Sequence, residues 1–246
     1  MTATETTDLQ CLPQAVAVLF DFNGVLVDDE PIHYQAFQNV LGAAGRTMHP
    51  DVYRRYLGLD DRGTFVAFLR EMGDLIPDEE IAQWVARKQA VYAALLEHDR
   101  RQGRAHLFPG AFDLVHSLHD AGVPLGIVSG ARRAEIEASL MGGGLTKCFR
   151  VIVAAEDVPA CKPDPAGYRL AYERLRAICP GIVSGVAIED APAGIAAARA
   201  AGLRCVGVTT SCTPRELVGA DRIVHTLREI DPRRAIVPSQ AAEEMT

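Results

Sequence analysis

The chain has 246 residues, 48% hydrophobic and 23% charged, with a formal net charge of -7 and a pI near 5.5. That is ordinary globular composition with ample material for a core. The acidic balance argues against nucleic acid or an anionic membrane as a main partner. No run approaches the ~18 consecutive apolar residues of a membrane span, and the start, MTATETTDLQ, is acidic and polar, the reverse of a secretory signal. The expectation is a soluble, cytoplasmic protein, a monomer or weak homodimer. Six scattered cysteines without a C-x-x-C pair read as free thiols.

In chain order, residues 1–12 read as a loose tail. AVAVLF, Ala15 to Phe20, is an apolar run that ends on Asp21, and Asn23-Gly24 follows. A buried strand running into a carboxylate places that group at the strand's carboxyl end, where ligands bind in open α/β sheets. From about Pro31 to Arg104 no strand pattern appears. Phe37, Val40, Leu41 and Ala44 fall at helical spacing, as do Phe65, Phe68 and Leu69, then Ile81, Trp84, Val85, Val91, Tyr92, Leu95 and Leu96. The segment is predicted to be a small all-helical cap domain, residues 32–104, inserted after the first strand. Lys88, on the face that carries Ile81 and Val85, is expected to bury its stem and keep its head in water.

After Pro109-Gly110 the pattern alternates. A helix ending at Gly122 is followed by VPLGIVSG, a strand ending on Ser129. Next come a helix from Ala131 to Met141, strand VIVAA at 151–155 and helix 166–178. Strand VAIED at 186–190, helix 193–201 and strand CVGVTT at 205–210 complete the series. Strands apolar throughout, alternating with helices, predict a Rossmann-like α/β core, residues 13–31 and 105–236. Its sheet is parallel and covered by helices on both faces. A second tail covers 237–246.

Right-handed crossovers bring the strand ends to one sheet edge. Asp21, Ser129, Glu189-Asp190 and Lys162, in the loop CKPDP, would therefore surround one crevice. Carboxylates from separate strands form the hard oxygen set that magnesium prefers. A lysine and a serine suit phosphate oxygens, and a carboxylate can attack phosphorus as a nucleophile. Singly, each of these residues reads more readily as a cap, a turn or a surface charge; the ordered set is what carries meaning.

DFNGVLVDDEPIH, VSG, CKPDP and IEDAPAGIAAARAAG together resemble the four ordered motifs of the haloacid dehalogenase-like hydrolases, in particular their beta-phosphoglucomutase-like branch with a helical cap. The resemblance covers nearly the whole chain outside the tails. It implies a magnesium-dependent phosphatase acting on a small phosphorylated metabolite. Asp21 would be the nucleophile, and Ser129, Gly130 and Lys162 would hold the phosphate. Asp21, the Asn23 carbonyl and Asp190 would bind Mg2+, with Glu189 assisting directly or through water. Glu30 and His33 match the hinge into the cap. In LGLDDRGTF, residues 57–65, Asp60, Asp61 and Arg62 are candidate substrate readers, or Asp60 or Asp61 simply caps the helix that follows.

Asn23 departs from the family, which usually carries an acid/base Asp there. A carboxamide hydrogen-bonds but does not exchange a proton near neutral pH, and general acid-base catalysis is typically worth ~10²–10⁴-fold. Three readings follow: a phosphatase for good leaving groups or with a substitute such as Glu30 or His33; a degenerate module that binds a phosphorylated ligand; or an engineered substitution. Ala191, where relatives often carry Ser or Thr, removes one possible hydrogen bond. A sugar-phosphate mutase would need the missing group twice. A dehalogenase would not need Glu189-Asp190. A phosphonoacetaldehyde hydrolase would need a cap lysine, and Lys88 is the only one available.

Overall fold

A computed structural model describes residues 15–56, 59–102 and 106–235; both predicted tails lie outside them. The chain divides into two compact units, one spanning Asp29–Arg104 and the other formed by the residues before and after it.

The larger unit is built on a sheet of strands β1 (Ala15–Phe20), β2 (Leu125–Val128), β3 (Val151–Val153), β4 (Ile182–Glu189), β5 (Arg204–Val208) and β6 (Arg222–Val224), all parallel, in the order β3-β2-β1-β4-β5-β6. β6 is a sixth strand beyond the five predicted. Its three residues are too few to show a pattern, and it forms by pairing with β5. Helices α5 (Ala111–Asp120), α6 (Arg133–Gly142), α7 (Ala166–Ile178) and α8 (Pro192–Ala200) cover the sheet. Val18 and Phe20 of β1 pack with Leu114 and Leu118 of α5 and Ile136 of α6. Ala15, Ala17 and Leu19 pack on the other face with Tyr168 and Leu175 of α7 and Ile195 of α8. The two-residue period of a strand thus feeds two cores, which is why β1 is apolar at every position. No described helix is long and apolar enough to cross a membrane.

The smaller unit is helical among its described residues: α1 (Glu30–Ala43), α2 (Pro50–Arg54), α3 (Asp61–Met72) and α4 (Asp78–Arg101). Phe37, Val40, Leu41, Phe65, Phe68, Leu69 and Ile81, which the periodicity places on inner faces, form its buried cluster.

Two expectations need correction. Cys179 is disulfide-bonded, so the six cysteines are not all free. Lys88 does not hold its head in water: its side chain is 2% exposed and its ammonium lies 2.6 Å from Asp61 Oδ1. Helical periodicity reports which face is buried, not which polar partner waits there.

Candidate active site

Strand register assembles the site. Phe20 pairs with Ile127 on one side and Ile188 on the other, so Asp21 is level with Val128 and Glu189. Its amide continues the ladder to the Ile188 carbonyl at 2.9 Å, and the Ser129 amide does the same to Val153. The chain leaves β1 toward β2 and β3, then returns to β1's other edge as β4. That reversal of strand order is the switch point where a crevice opens at the strands' carboxyl ends. Asp21 and the pair Glu189-Asp190 stand there.

One carboxylate oxygen from each of Asp21, Glu189 and Asp190 lies within 4.8 Å of the others. Lys162 Nζ enters between them, 2.5 Å from Asp21 Oδ1 and 2.7 Å from Glu189 Oε1. Burial would discourage the Lys162 charge, but the Asp21 and Glu189 carboxylates outweigh it and raise its pKa. Burial pushes the Asp21 carboxyl well above the ordinary range; Lys162 opposes this, while Glu189 and Asp190 add to it. Three crowded carboxylates, two of which (Asp21 and Asp190) burial pushes up, are a donor set that a divalent cation would relieve, so these residues fit magnesium.

The phosphate-holding candidates are also here. Ser129 follows β2; its hydroxyl accepts from the Ala131 amide at 3.0 Å and faces the Asn23 Oδ1 at 3.4 Å. Ser129 is not the helix cap it could have been, since α6 begins only at Arg133. Ser129, Gly130, Lys162 and Tyr168 line one pocket. Asp190 likewise caps nothing: Ala191 occupies the cap position of α8, and the Asp190 carboxylate bonds Ser211.

Several groups here were not legible in the sequence. The fully buried Tyr168 hydroxyl donates to Glu189 Oε1 at 2.6 Å, and its ring lies 5.3 Å from the Lys162 ammonium. Burial and Glu189 hold the Tyr168 phenol well above its usual range, so it keeps its proton. The Asp190 amide bonds Glu189 Oε2 at 3.2 Å. Both Glu189 oxygens are thus engaged by protein. Thr210 donates to the Gly24 carbonyl, and Gly24, at φ +80°, lies so close to Asp190 that a Cβ would fall 1.9 Å from Oδ2. Gly194, on α8, is a second close approach: a Cβ there would stand 1.9 Å from Glu189 Oε1. Gly194→Ala is therefore expected to drive Glu189 off Tyr168 and Lys162, costing ~1–3 kcal/mol of stability, as read by urea unfolding.

Burial raises the Asp190 carboxyl to about 6 from an ordinary 3.8, against the lowering effect of the Ser211 bond. A carboxyl raised by folding contributes stability below its unfolded pKa and loses it as pH rises through the folded one. The metal-free protein should lose thermal stability as pH rises from 3.8 through about 6. The stabilisation from added magnesium should grow over the same interval, because a ligating carboxylate must be deprotonated. Thermal unfolding with and without magnesium across that range checks both.

The cap candidates belong to the helical unit. Glu30, at the start of α1, accepts the Tyr53 hydroxyl at 2.6 Å. His33 on α1 has Nδ1 2.6 Å from Lys88 Nζ and Nε2 3.2 Å from Asp29 Oδ2, and its ring stacks on Tyr92 at 4.3 Å. Tyr92 in turn donates to Asp29 at 2.6 Å. Asp61 pairs with Lys88 from the first turn of α3, and it is Asp60, accepting from the Gly63 amide at 2.7 Å, that caps this helix. Arg62 stands apart, in an exposed ion pair with Asp78 at 2.7 Å.

Comparison with known proteins fixes the family. Residues 18–208 match the family model of the haloacid dehalogenase-like hydrolases. The chain is similar to a validoxylamine A 7'-phosphate phosphatase of Streptomyces hygroscopicus subsp. limoneus, 32% identical over 86% of this chain and 94% of that one. It is also similar to the protein CbbY of Cereibacter sphaeroides, 33% identical over 87% of this chain and 93% of that one. Among solved structures it resembles a mutant of CbbY from Rhodobacter sphaeroides in complex with xylulose-(1,5)bisphosphate. That likeness has a TM-score of 0.72 at 29% identity, covering 89% of this chain and 96% of that one. The chain belongs to the haloacid dehalogenase-like hydrolases, and among them to the phosphatases.

Proposed function

We propose that this chain is a magnesium-dependent phosphatase that moves the phosphoryl group of a small phosphorylated metabolite to Asp21 and then to water. The observation that carries the reading is the meeting of Asp21, Lys162, Glu189 and Asp190 at the switch point of the sheet. In this reading an Asp21 oxygen attacks phosphorus. Lys162 and the Ser129 hydroxyl hold the remaining phosphoryl oxygens, as charge and as hydrogen-bond donor, with Gly130 beside them. Asp21, the backbone carbonyl of Asn23 and Asp190 would hold Mg2+, which when bound neutralises charge on the phosphoryl oxygens. Glu189, with one oxygen on Tyr168 and Lys162 and the other on the Asp190 amide, fixes Lys162 and would assist the metal directly or through water.

Support for the substrate class comes from relatives. One is named as a phosphatase of a phosphorylated validoxylamine, and the CbbY mutant was crystallised with a bisphosphorylated sugar. The cap domain of residues 32–104, with Asp61 and Lys88 at its polar centre, would supply the choice among such metabolites. Asn23 favours a second reading, a module that binds a phosphorylated ligand without turnover. A panel of phosphate esters assayed with magnesium and with EDTA separates them. Magnesium-dependent release of inorganic phosphate supports the phosphatase; saturable ligand binding with no release supports the module.

A further inference from the structure

The phosphatase reading, on which this inference rests, leaves one proton without a carrier among the described residues. When an ester of a simple alcohol loses its phosphoryl group, the departing oxygen becomes an alkoxide unless an acid protonates it in the transition state. Asn23 stands beside Asp21, but its carboxamide has hydrogens to donate in a bond and none to transfer; its oxygen faces the Ser129 hydroxyl.

The other candidate acids are committed elsewhere. In the sheet unit, Tyr168 gives its proton to a bond with Glu189, Glu189 is held by Lys162 and the Asp190 amide, and Asp190 is bound by Ser211. In the helical unit, His33 has both ring nitrogens engaged. The Lys88 ammonium is donor only, so Nδ1 accepts and Nε2 carries the proton shared with Asp29. Glu30 receives the Tyr53 hydroxyl.

We infer that the site is matched to substrates whose leaving group departs as a stable anion: acyl phosphates, phosphoanhydrides, and enol or aryl phosphates. The reaction balances without a protein acid. The Asp21 oxygen forms a bond to phosphorus, and the bond from phosphorus to the leaving oxygen breaks, its electron pair leaving with that oxygen as an anion. Water then attacks the phosphorus, Asp21 departs as carboxylate, and both protons of that water remain on the phosphate released.

The test is kcat/KM, which reports every step through loss of the leaving group, measured with magnesium. The substrates are a series of aryl phosphates of graded phenol acidity, acetyl phosphate and alkyl phosphates, each given to the chain and to Asn23→Asp. The chain is expected to lose ~10²-fold or more between the acidic and the alkyl leaving groups. Asn23→Asp is expected to recover about 10²–10⁴-fold on the alkyl members, with a gain that shrinks steadily as the leaving group becomes more acidic. A gain that is uniform across the series, or absent on the alkyl phosphates, overturns the inference while the phosphatase reading stands. Hydrolysis of no member by either protein removes the phosphatase reading, and this inference with it.

Discussion

Asp21→Ala is expected to abolish magnesium-dependent phosphate release, lowering kcat/KM on the order of 10⁴-fold or more, as loss of a covalent nucleophile does elsewhere. The physical ground is that no other carboxylate among the described residues at the switch point can replace it. Glu189 is pinned by Tyr168 and Lys162, and Asp190 is held by Ser211 against Gly24. Folding should survive, because the change removes a carboxylate that burial and two like charges oppose. An unfolding midpoint equal to or above that of the unaltered chain, with activity at background, is the predicted pair of results. Retention of more than a tenth of the activity would place the nucleophile elsewhere.

Lys88→Met is expected to destabilise the helical unit by about 3 kcal/mol, the low end of the range for breaking a buried ion pair. Asp61 is 23% exposed and keeps some contact with water, which moderates the loss. Lys88 ties three helices together: its ammonium meets Asp61 of α3 and His33 of α1, and it lies 4.8 Å and 5.2 Å from the Phe37 and Tyr92 rings. The chain's single tryptophan, Trp84, stands on the same helix, packed edge-on against Phe65 at 5.5 Å. Tryptophan fluorescence during urea unfolding therefore reports this unit directly. A second variant, Lys88→Met with Asp61→Leu, should recover most of the loss, since removing both charges leaves none unpaired. A single-variant midpoint within ~0.5 kcal/mol of the unaltered chain, the range of an ordinary surface change, would contradict this.

Much of the sheet unit could be read from the residues because strand burial and helix periodicity are local signals. Asp21, Ser129 and Glu189 were visible as polar residues ending apolar runs, and the parallel topology carried them to one edge. What could not be read depends on contacts between residues far apart in sequence. Tyr168 lay unmarked within the predicted helix 166–178, and only the approach of α7 to β4 turns its hydroxyl to Glu189. Thr210 read as the last residue of a predicted strand, which in the structure ends at Val208, and Ser211 drew no notice, yet they fix the Gly24 carbonyl and Asp190. Lys88 was misread for the same reason. Its place on a buried face was evident, but the charge waiting there, Asp61, lies 27 residues away on another helix. Asn23 is the reverse case: its chemistry was plain from its identity alone, and the geometry only narrowed what might compensate for it.

The central claim is that phosphorus passes through Asp21. It is tested most directly by incubating the chain with magnesium and an excess of acetyl phosphate or a nitrophenyl phosphate, quenching in acid, and mapping the peptides by mass spectrometry. With no proton carrier at Asn23 to activate the attacking water, the aspartyl-phosphate should accumulate, and the adduct is predicted on the peptide bearing Asp21 and absent from Asp21→Ala. A phosphoryl group on any other residue, or turnover of the same substrate with none trapped at Asp21 at any quench time, would contradict the account.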